Sequence, residues 1–137
     1  MRNYLLDTNV ISETRKVQAD LRVMAFLEAI DNEGLFLSVL TIGELRKGVE
    51  IKRKSDSVTA DRLNIWVDGL EADFADRILS IDVSVSRLWG ELSAAQSRPV
   101  VDTLIAATAI VHGLTLVTRN TRDIEWTGVQ FTNPWDP

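Results

Sequence analysis

Short, uniformly apolar runs alternate along the chain with longer stretches whose apolar residues recur at helical spacing. Runs at residues 4–6, 35–37, 78–81 and 114–117 predict buried strands, and a weaker run at 129–131 predicts a fifth. Residues 20–32 place Leu21, Met24, Leu27 and Ile30 on one helical face, and Gly34 then suits a C-terminal stop. Helices are also predicted over 41–54, 57–74 and 83–96, the last with Val85, Leu88, Trp89 and Leu92 on one side. A short Ala-rich helix over 102–112 ends at Gly113. No repeat, low-complexity segment or Pro/Gly-rich linker interrupts this order, so residues 1–137 read as a single domain. Strands alternating with helices predict an α/β fold with a mainly parallel sheet of about five strands. In such sheets ligand and catalytic sites form beyond the carboxyl ends of the strands, where helices begin.

Composition narrows the chemistry. The 137 residues, 45% of them hydrophobic, are enough for one real core. There is no cysteine, which excludes disulfides, thiolate metal sites and thiol nucleophiles. The single histidine, His112, excludes paired-histidine acid–base chemistry and is expected to end its helix, where a cation is mildly favoured. Asp7 arrives before any secretory hydrophobic region could form, and no apolar run approaches the roughly 18 residues that span a bilayer. A cytoplasmic protein without membrane association is expected. The net charge of −5 argues against a chain that grips nucleic acid by bulk positive charge. A nucleic-acid role would have to rest on a local site where a bound cation reverses the potential.

Four carboxylates fall where such a site would form. Asp7 directly follows the first apolar run, Glu44 sits near the start of the helix after the second, Asp102 opens the Ala-rich helix, and Asp123 follows the run at 114–117. Each alone also suits an ordinary local role: Thr41-Ile42-Gly43-Glu44 fits a capping box, Asp102 an N-cap and Asp7 a turn. Together on one sheet edge they would repel one another unless protonated or shared by a cation. An all-oxygen set without His or Cys suits Mg²⁺, with Mn²⁺ as a substitute, rather than zinc.

The stretches around these acids resemble PIN-domain toxins of the VapC type. Leu5-Leu6-Asp7-Thr8-Asn9-Val10-Ile11-Ser12-Glu13 is similar to their opening motif, and residues 37–48, Leu-Ser-Val-Leu-Thr-Ile-Gly-Glu-Leu-Arg-Lys-Gly, to their second acidic motif. Asp102-Thr103-Leu104-Ile105-Ala106-Ala107-Thr108-Ala109, continuing through His112-Gly113 to Thr118-Arg119-Asn120, is similar to the third motif and the strand after it. The tail Asn133-Pro134-Trp135 resembles the usual family ending. The resemblance implies a three-layer α/β/α PIN-like domain and a metal-dependent endoribonuclease with Asp7, Glu44 and Asp102 as its acidic set. Asn120 stands where some members carry an acid, and Asp123 is the candidate for the fourth carboxylate and metal ligand. The segment between Trp89 and Asp102 is shorter than usual and lacks the expected glycines. The resemblance further implies a small cognate antitoxin whose C-terminal segment blocks the site, a homodimer and a toxin–antitoxin hetero-oligomer.

The expected reaction is hydrolysis of RNA phosphodiester bonds to 5′-phosphate and 3′-hydroxyl ends, with Mg²⁺ held chiefly by Asp7 and Asp102. Glu44 and Asp123 complete the set, and Thr8, Asn9, Thr118 and Asn120 orient ligands or substrate. Arg15, Lys16, Arg46, Lys47, Lys52, Arg53, Lys54, Arg119 and Arg122 are the cations available to receive RNA. Trp66, Trp89, Trp126 and Trp135 are expected in the core or an interface rather than as base-stacking platforms. Two other readings compete. A metal-dependent phosphatase of the haloacid-dehalogenase kind wants a second Asp two residues after the first, where this chain has Asn9. A non-catalytic RNA- or partner-binding module would not need three intact acids.

Overall fold

The computed structural model describes residues 2–137. Five parallel strands, β1 (Tyr4–Leu6), β2 (Leu35–Ser38), β3 (Ile78–Leu79), β4 (Thr115–Val117) and β5 (Phe131–Thr132), form one sheet in the order β3-β2-β1-β4-β5. Six α-helices are interleaved with them: α1 (Thr8–Arg15), α2 (Leu21–Glu28), α3 (Val39–Arg53), α4 (Ser57–Asp73), α5 (Val83–Ala95) and α6 (Val100–His112). The strand runs are uniformly apolar because both sheet faces are covered. Leu5 and Leu116 face a core built with Ile105, Ala106 and Ala109 of α6. Leu6 and Val117 face the opposite core, with Val10 and Ile11 of α1 and Val23 of α2. The result is the expected three-layer α/β/α sandwich. Among the described residues no helix is long and apolar enough to cross a membrane.

Alanine at 106, 107 and 109, all fully buried, lets α6 lie close to its neighbours. The helix ends as expected at Gly113, in the left-handed region at φ 67°, and Leu114 N–H then donates to Ala109 O at 2.8 Å in a Schellman closure.

Several boundaries differ from expectation for local reasons. Helix α1 was not anticipated, because Thr8, Asn9, Val10 and Ile11 are poor helix formers; burial of Val10 and Ile11 and the Asp7 cap outweigh that preference. Helix α2 stops at Ala29, and Gly34 instead closes a 3-10 turn, Asn32–Gly34, leading into β2. Helix α3 starts at Val39, not Thr41, because Ser38 Oγ accepts from Leu40 N–H at 3.0 Å. The capping box expected at Thr41 and Glu44 is therefore not formed, and Glu44 lies in the second turn. Helix α6 starts at Val100 after Pro99, so Asp102 sits within its first turn rather than at its cap. Strand β3 is only two residues long, since the chain turns at once to Asp82, whose carboxylate caps α5 through Val85 N–H. In the last segment Gly128 turns the chain at φ 80°, Val129 is buried against the α6 core, and β5 pairs only at Phe131 and Thr132.

The chain leaves the central strand β1 for β2 and β3 on one side and returns to β4 and β5 on the other. This reversal falls between β1 and β4, the place where ligand and catalytic sites form in such sheets.

Candidate active site

Asp7 ends β1 and Thr118 follows β4, so the two straddle that reversal. Asp7 is buried, 8% exposed, yet it makes no ion pair among the described residues. Instead three donors hold it. Thr118 Oγ1 donates to Oδ2 at 2.8 Å, Asn9 Nδ2 to the same oxygen at 3.3 Å, and Thr8 N–H to Oδ1 at 2.8 Å. The backbone bond is local, because Asp7 caps α1. The Thr118 bond spans 111 residues and exists only because β1 and β4 are neighbours.

Burial raises the Asp7 carboxyl above its usual range; the bonds from Thr118 and Thr8 pull it back, and the nearby Glu44 charge pushes it up again. Asp102, on the first turn of α6, is also raised, first by burial and then by the charges of Asp7, Asp123 and Glu44. The fold therefore brings the four predicted acids within electrostatic reach of one another. None of them is paired with a basic side chain among the described residues.

Glu44 is exposed, and its Oε1 accepts from Thr8 Oγ1 at 2.5 Å. Asp123 is exposed in the 3-10 turn Thr121–Asp123. Asn9 also donates toward Thr118 Oγ1 at 3.5 Å, and its Oδ1 accepts from Arg119 N–H at 3.3 Å. Asn120 contributes its backbone N–H to Thr118 Oγ1 at 3.1 Å, and its residue is exposed. Of the residues expected to orient ligands, Thr8, Asn9 and Thr118 thus touch the acids directly, and Asn120 acts through Thr118.

The donor set suits a hard divalent cation. It is all oxygen, and it carries negative charge that no side chain neutralises. Among the described residues no group of three or more acidic or imidazole side chains is gathered into a ready-made metal site.

The expected RNA-receiving cations divide in two. Arg46 is spent on α4, reaching Asn64 Oδ1 at 2.6 Å, Asp68 at 2.6 Å and Glu71 at 2.7 Å. Arg53 pairs with Asp61 and Glu50, and Lys16 with Glu13. Arg15 lies over the Trp66 ring at 5.7 Å and Arg119 over Trp135 at 5.1 Å. A groove of about 650 Å³ opens beside Thr8 and Glu44, floored by Leu45, Val49, Leu63 and Trp66 and edged by Arg15, Lys16 and Lys52.

Sequence reasoning missed Glu13. It is 5% exposed, accepts from Asp20 N–H at 2.9 Å and pairs with Lys16 at 2.9 Å, closing the α1–α2 connection. With α1 unrecognised, nothing in the pattern marked position 13 as inward-facing.

The family described as PIN domain matches residues 4–126. The chain is 37% identical over 142 residues to the VapC ribonuclease Y4jK of Sinorhizobium fredii, spanning 97% of this chain and 98% of that protein. It is likewise 37% identical over 138 residues to Toxin FitB of Neisseria gonorrhoeae, spanning 96% and 97%. The crystal structure of FitAcB from Neisseria gonorrhoeae superposes with a TM-score of 0.89 at 34% identity, covering 98% of this chain and 99% of that one.

Proposed function

The chain belongs to the PIN domain family, and from that premise we propose that it is the toxin of a type II toxin–antitoxin pair, a metal-dependent endoribonuclease working at Asp7, Glu44, Asp102 and Asp123. The observation that carries this reading is the uncompensated carboxylate cluster at the sheet reversal, with Asp7 and Asp102 both raised by burial and neighbouring charge. Relatives named as a ribonuclease and a toxin, each matched along nearly its whole length, support the same substrate class.

Asp7 and Asp102 would hold Mg²⁺ or Mn²⁺, with Glu44 and Asp123 completing the set. A divalent cation held there would supply Lewis acidity, lowering the pKa of a water and offsetting the charge that builds on the phosphoryl oxygens. The chain's own groups do the positioning. Thr118, Asn9 and Thr8 N–H lock the Asp7 carboxylate against rotation, since each oxygen already has a directed donor. Thr8 ties Glu44 to the same helix start. The RNA 2′-hydroxyl takes no part, so the products carry 5′-phosphate and 3′-hydroxyl ends.

A cognate antitoxin is the expected partner. A complex described as FitAB bound to an IR36 DNA fragment contains a chain 31% identical to this one, with a TM-score of 0.76. An antitoxin segment bearing Arg or Lys would meet the acidic cluster favourably. Homodimerisation and a cytoplasmic location belong to the same proposal.

The test is incubation of the purified chain with end-labelled structured RNA, with and without Mg²⁺, beside Asp7→Asn. Internal cleavage that EDTA and the substitution both abolish supports the nuclease. Tight RNA binding without cleavage, indifferent to both, would replace it with a binding module.

A further inference from the structure

Threonines buried in helices usually satisfy their hydroxyl by donating to the carbonyl four residues back. Thr103 and Thr108 do this on α6, to Pro99 O at 2.9 Å and Leu104 O at 2.8 Å. Thr41 on α3 is fully buried and does otherwise. Its Oγ1 lies 3.1 Å from Thr8 Oγ1 on α1, and Thr8 Oγ1 lies 2.5 Å from Glu44 Oε1. A hydroxyl has one proton to give. The short contact to a carboxylate claims the Thr8 proton, because charge-assisted bonds are the shorter and stronger ones. Thr8 can therefore meet Thr41 only as an acceptor, and Thr41 is the donor. The bonds run in one direction, from Thr41 through Thr8 to Glu44.

We propose that Thr41 is a positioning residue that fixes the Glu44 carboxylate through Thr8. Glu44 needs such help. It is exposed, unpaired with any cation among the described residues, and carried on a long side chain in the second turn of α3. Asp7, by contrast, is held by burial and three donors. The chain of hydroxyls crosses from α3 to α1, so it also sets the spacing between Glu44 and the helix that Asp7 caps. This assignment rests on the nuclease reading of the site.

The experiment separates the two. Thr41→Val keeps the shape and removes the donor, while Thr41→Ser keeps the donor. First, a double-mutant cycle of Thr41→Val and Thr8→Val is read on the unfolding equilibrium constant in EDTA. A coupling of about fivefold is expected for one hydrogen bond. No coupling would overturn the hydroxyl chain, whatever the protein does to RNA. Second, Mn²⁺ affinity is followed by the EPR signal of free Mn²⁺, alongside RNA cleavage. Thr41→Val should weaken Mn²⁺ binding and lower kcat by about tenfold each, with KM for RNA unchanged, and Thr41→Ser should restore both. In a Glu44→Gln background Thr41→Val should cost nothing more. An equal loss there, or a Ser variant as poor as Val, would reduce Thr41 to a packing residue. If Thr41→Val does not fold, Thr41→Ala serves in the same cycle. A wild type that neither binds Mn²⁺ nor cleaves RNA overturns the nuclease reading and the catalytic role with it.

Discussion

Replacing Thr118 with valine removes one hydroxyl from the interior and leaves the side-chain shape almost unchanged. Thr118 is fully buried, and its Oγ1 donates to Asp7 Oδ2 at 2.8 Å while accepting from Asn120 N–H at 3.1 Å. Asn120 is exposed and can turn its N–H to water, and the Asn9 contact at 3.5 Å is long. The loss therefore falls on the bond to Asp7. A hydrogen bond to a charged group contributes roughly 1.5–3 kcal/mol, so Thr118→Val should destabilise the metal-free protein by about 2 kcal/mol at neutral pH. In a chain of this size each kcal/mol moves Tm by about 3–4 °C, which gives a fall of roughly 6–8 °C. The pH dependence is the sharper test. Asp7 already sits above its ordinary range, and the Thr118 bond holds it down. An acid with a raised folded pKa binds more protons folded than unfolded, so stability declines as pH rises through that window. Without Thr118 the folded pKa climbs further and the decline is steeper. The gap between mutant and wild type should thus be small in acid, where Asp7 is protonated in both, and widen to its full size at neutral pH. Thermal melts in EDTA across this range measure it. A gap that is constant with pH, or under about 2 °C at neutrality, would refute the reasoning that Thr118 acts on the Asp7 charge.

Asp102→Asn should raise Tm in EDTA at neutral pH while abolishing cleavage, because it removes a charge held unfavourably by burial and by Asp7, Asp123 and Glu44. Its advantage over wild type should shrink on acidification, as Asp102 in the wild type becomes protonated; melts at two pH values decide this. Glu13 behaves oppositely. Its folded pKa lies below its ordinary value, chiefly through Lys16 and then Asp20 N–H. Its contribution is complete above that value and lost as pH falls, so the deficit of Glu13→Gln should be greatest at neutral pH and close in acid. Arg46→Met should lower stability by about 1–2 kcal/mol in a urea titration, since two half-exposed ion pairs and the hydrogen bond to Asn64 between α3 and α4 go at once. Affinity for a cleavage-resistant RNA should rise on adding Mg²⁺ at matched ionic strength, and Asp7→Asn should blunt that rise; a filter-binding series that finds no effect would count against a cation in the cluster.

What could be read from the sequence divides along physical lines. Strands β1, β2 and β4 were legible because burial on both faces makes their runs apolar throughout, and Asp7 stood out as a charge at the end of one. The Ala-rich α6 and its Gly113 stop were legible from composition alone. Helix α1 was not, since its residues prefer extended backbone and are made helical by contacts with β2 and α2 residues distant in sequence. That omission hid Glu13. The starts of α3 and α6 were each misplaced by two residues, because Ser38 and Pro99 proved to be the caps. The grouping of the four acids could be inferred from strand-end positions and family motifs. The bonds that orient them could not, as Thr118 to Asp7 and Thr8 to Glu44 depend on neighbours 111 and 36 residues apart. The ion pairs of Arg46 with Asp68 and Glu71 and of Arg53 with Asp61 were not legible for the same reason, their carboxylate partners lying on the adjacent α4.

The overall acidity of the chain looks opposed to RNA binding until the charges are placed. Arg22, Arg46, Arg53, Arg77 and Lys16 are each beside acids of their own surface and contribute little net potential. Asp7, Glu44, Asp102 and Asp123 make no ion pair among the described residues, and they concentrate negative charge at the end of β1. A divalent cation there would remove most of what repels a phosphate, and Arg15 and Lys52 edge the adjoining groove. The same cluster without a cation is a destabilising feature, with two carboxyls raised by burial and mutual repulsion. Whatever brings positive charge to it, whether an ion or a basic antitoxin segment, gains affinity from relieving that repulsion. Under the proposed function, metal, substrate and a basic antitoxin segment would all act on the same repulsion at the end of β1, and such a segment would inhibit by relieving it in place of the metal.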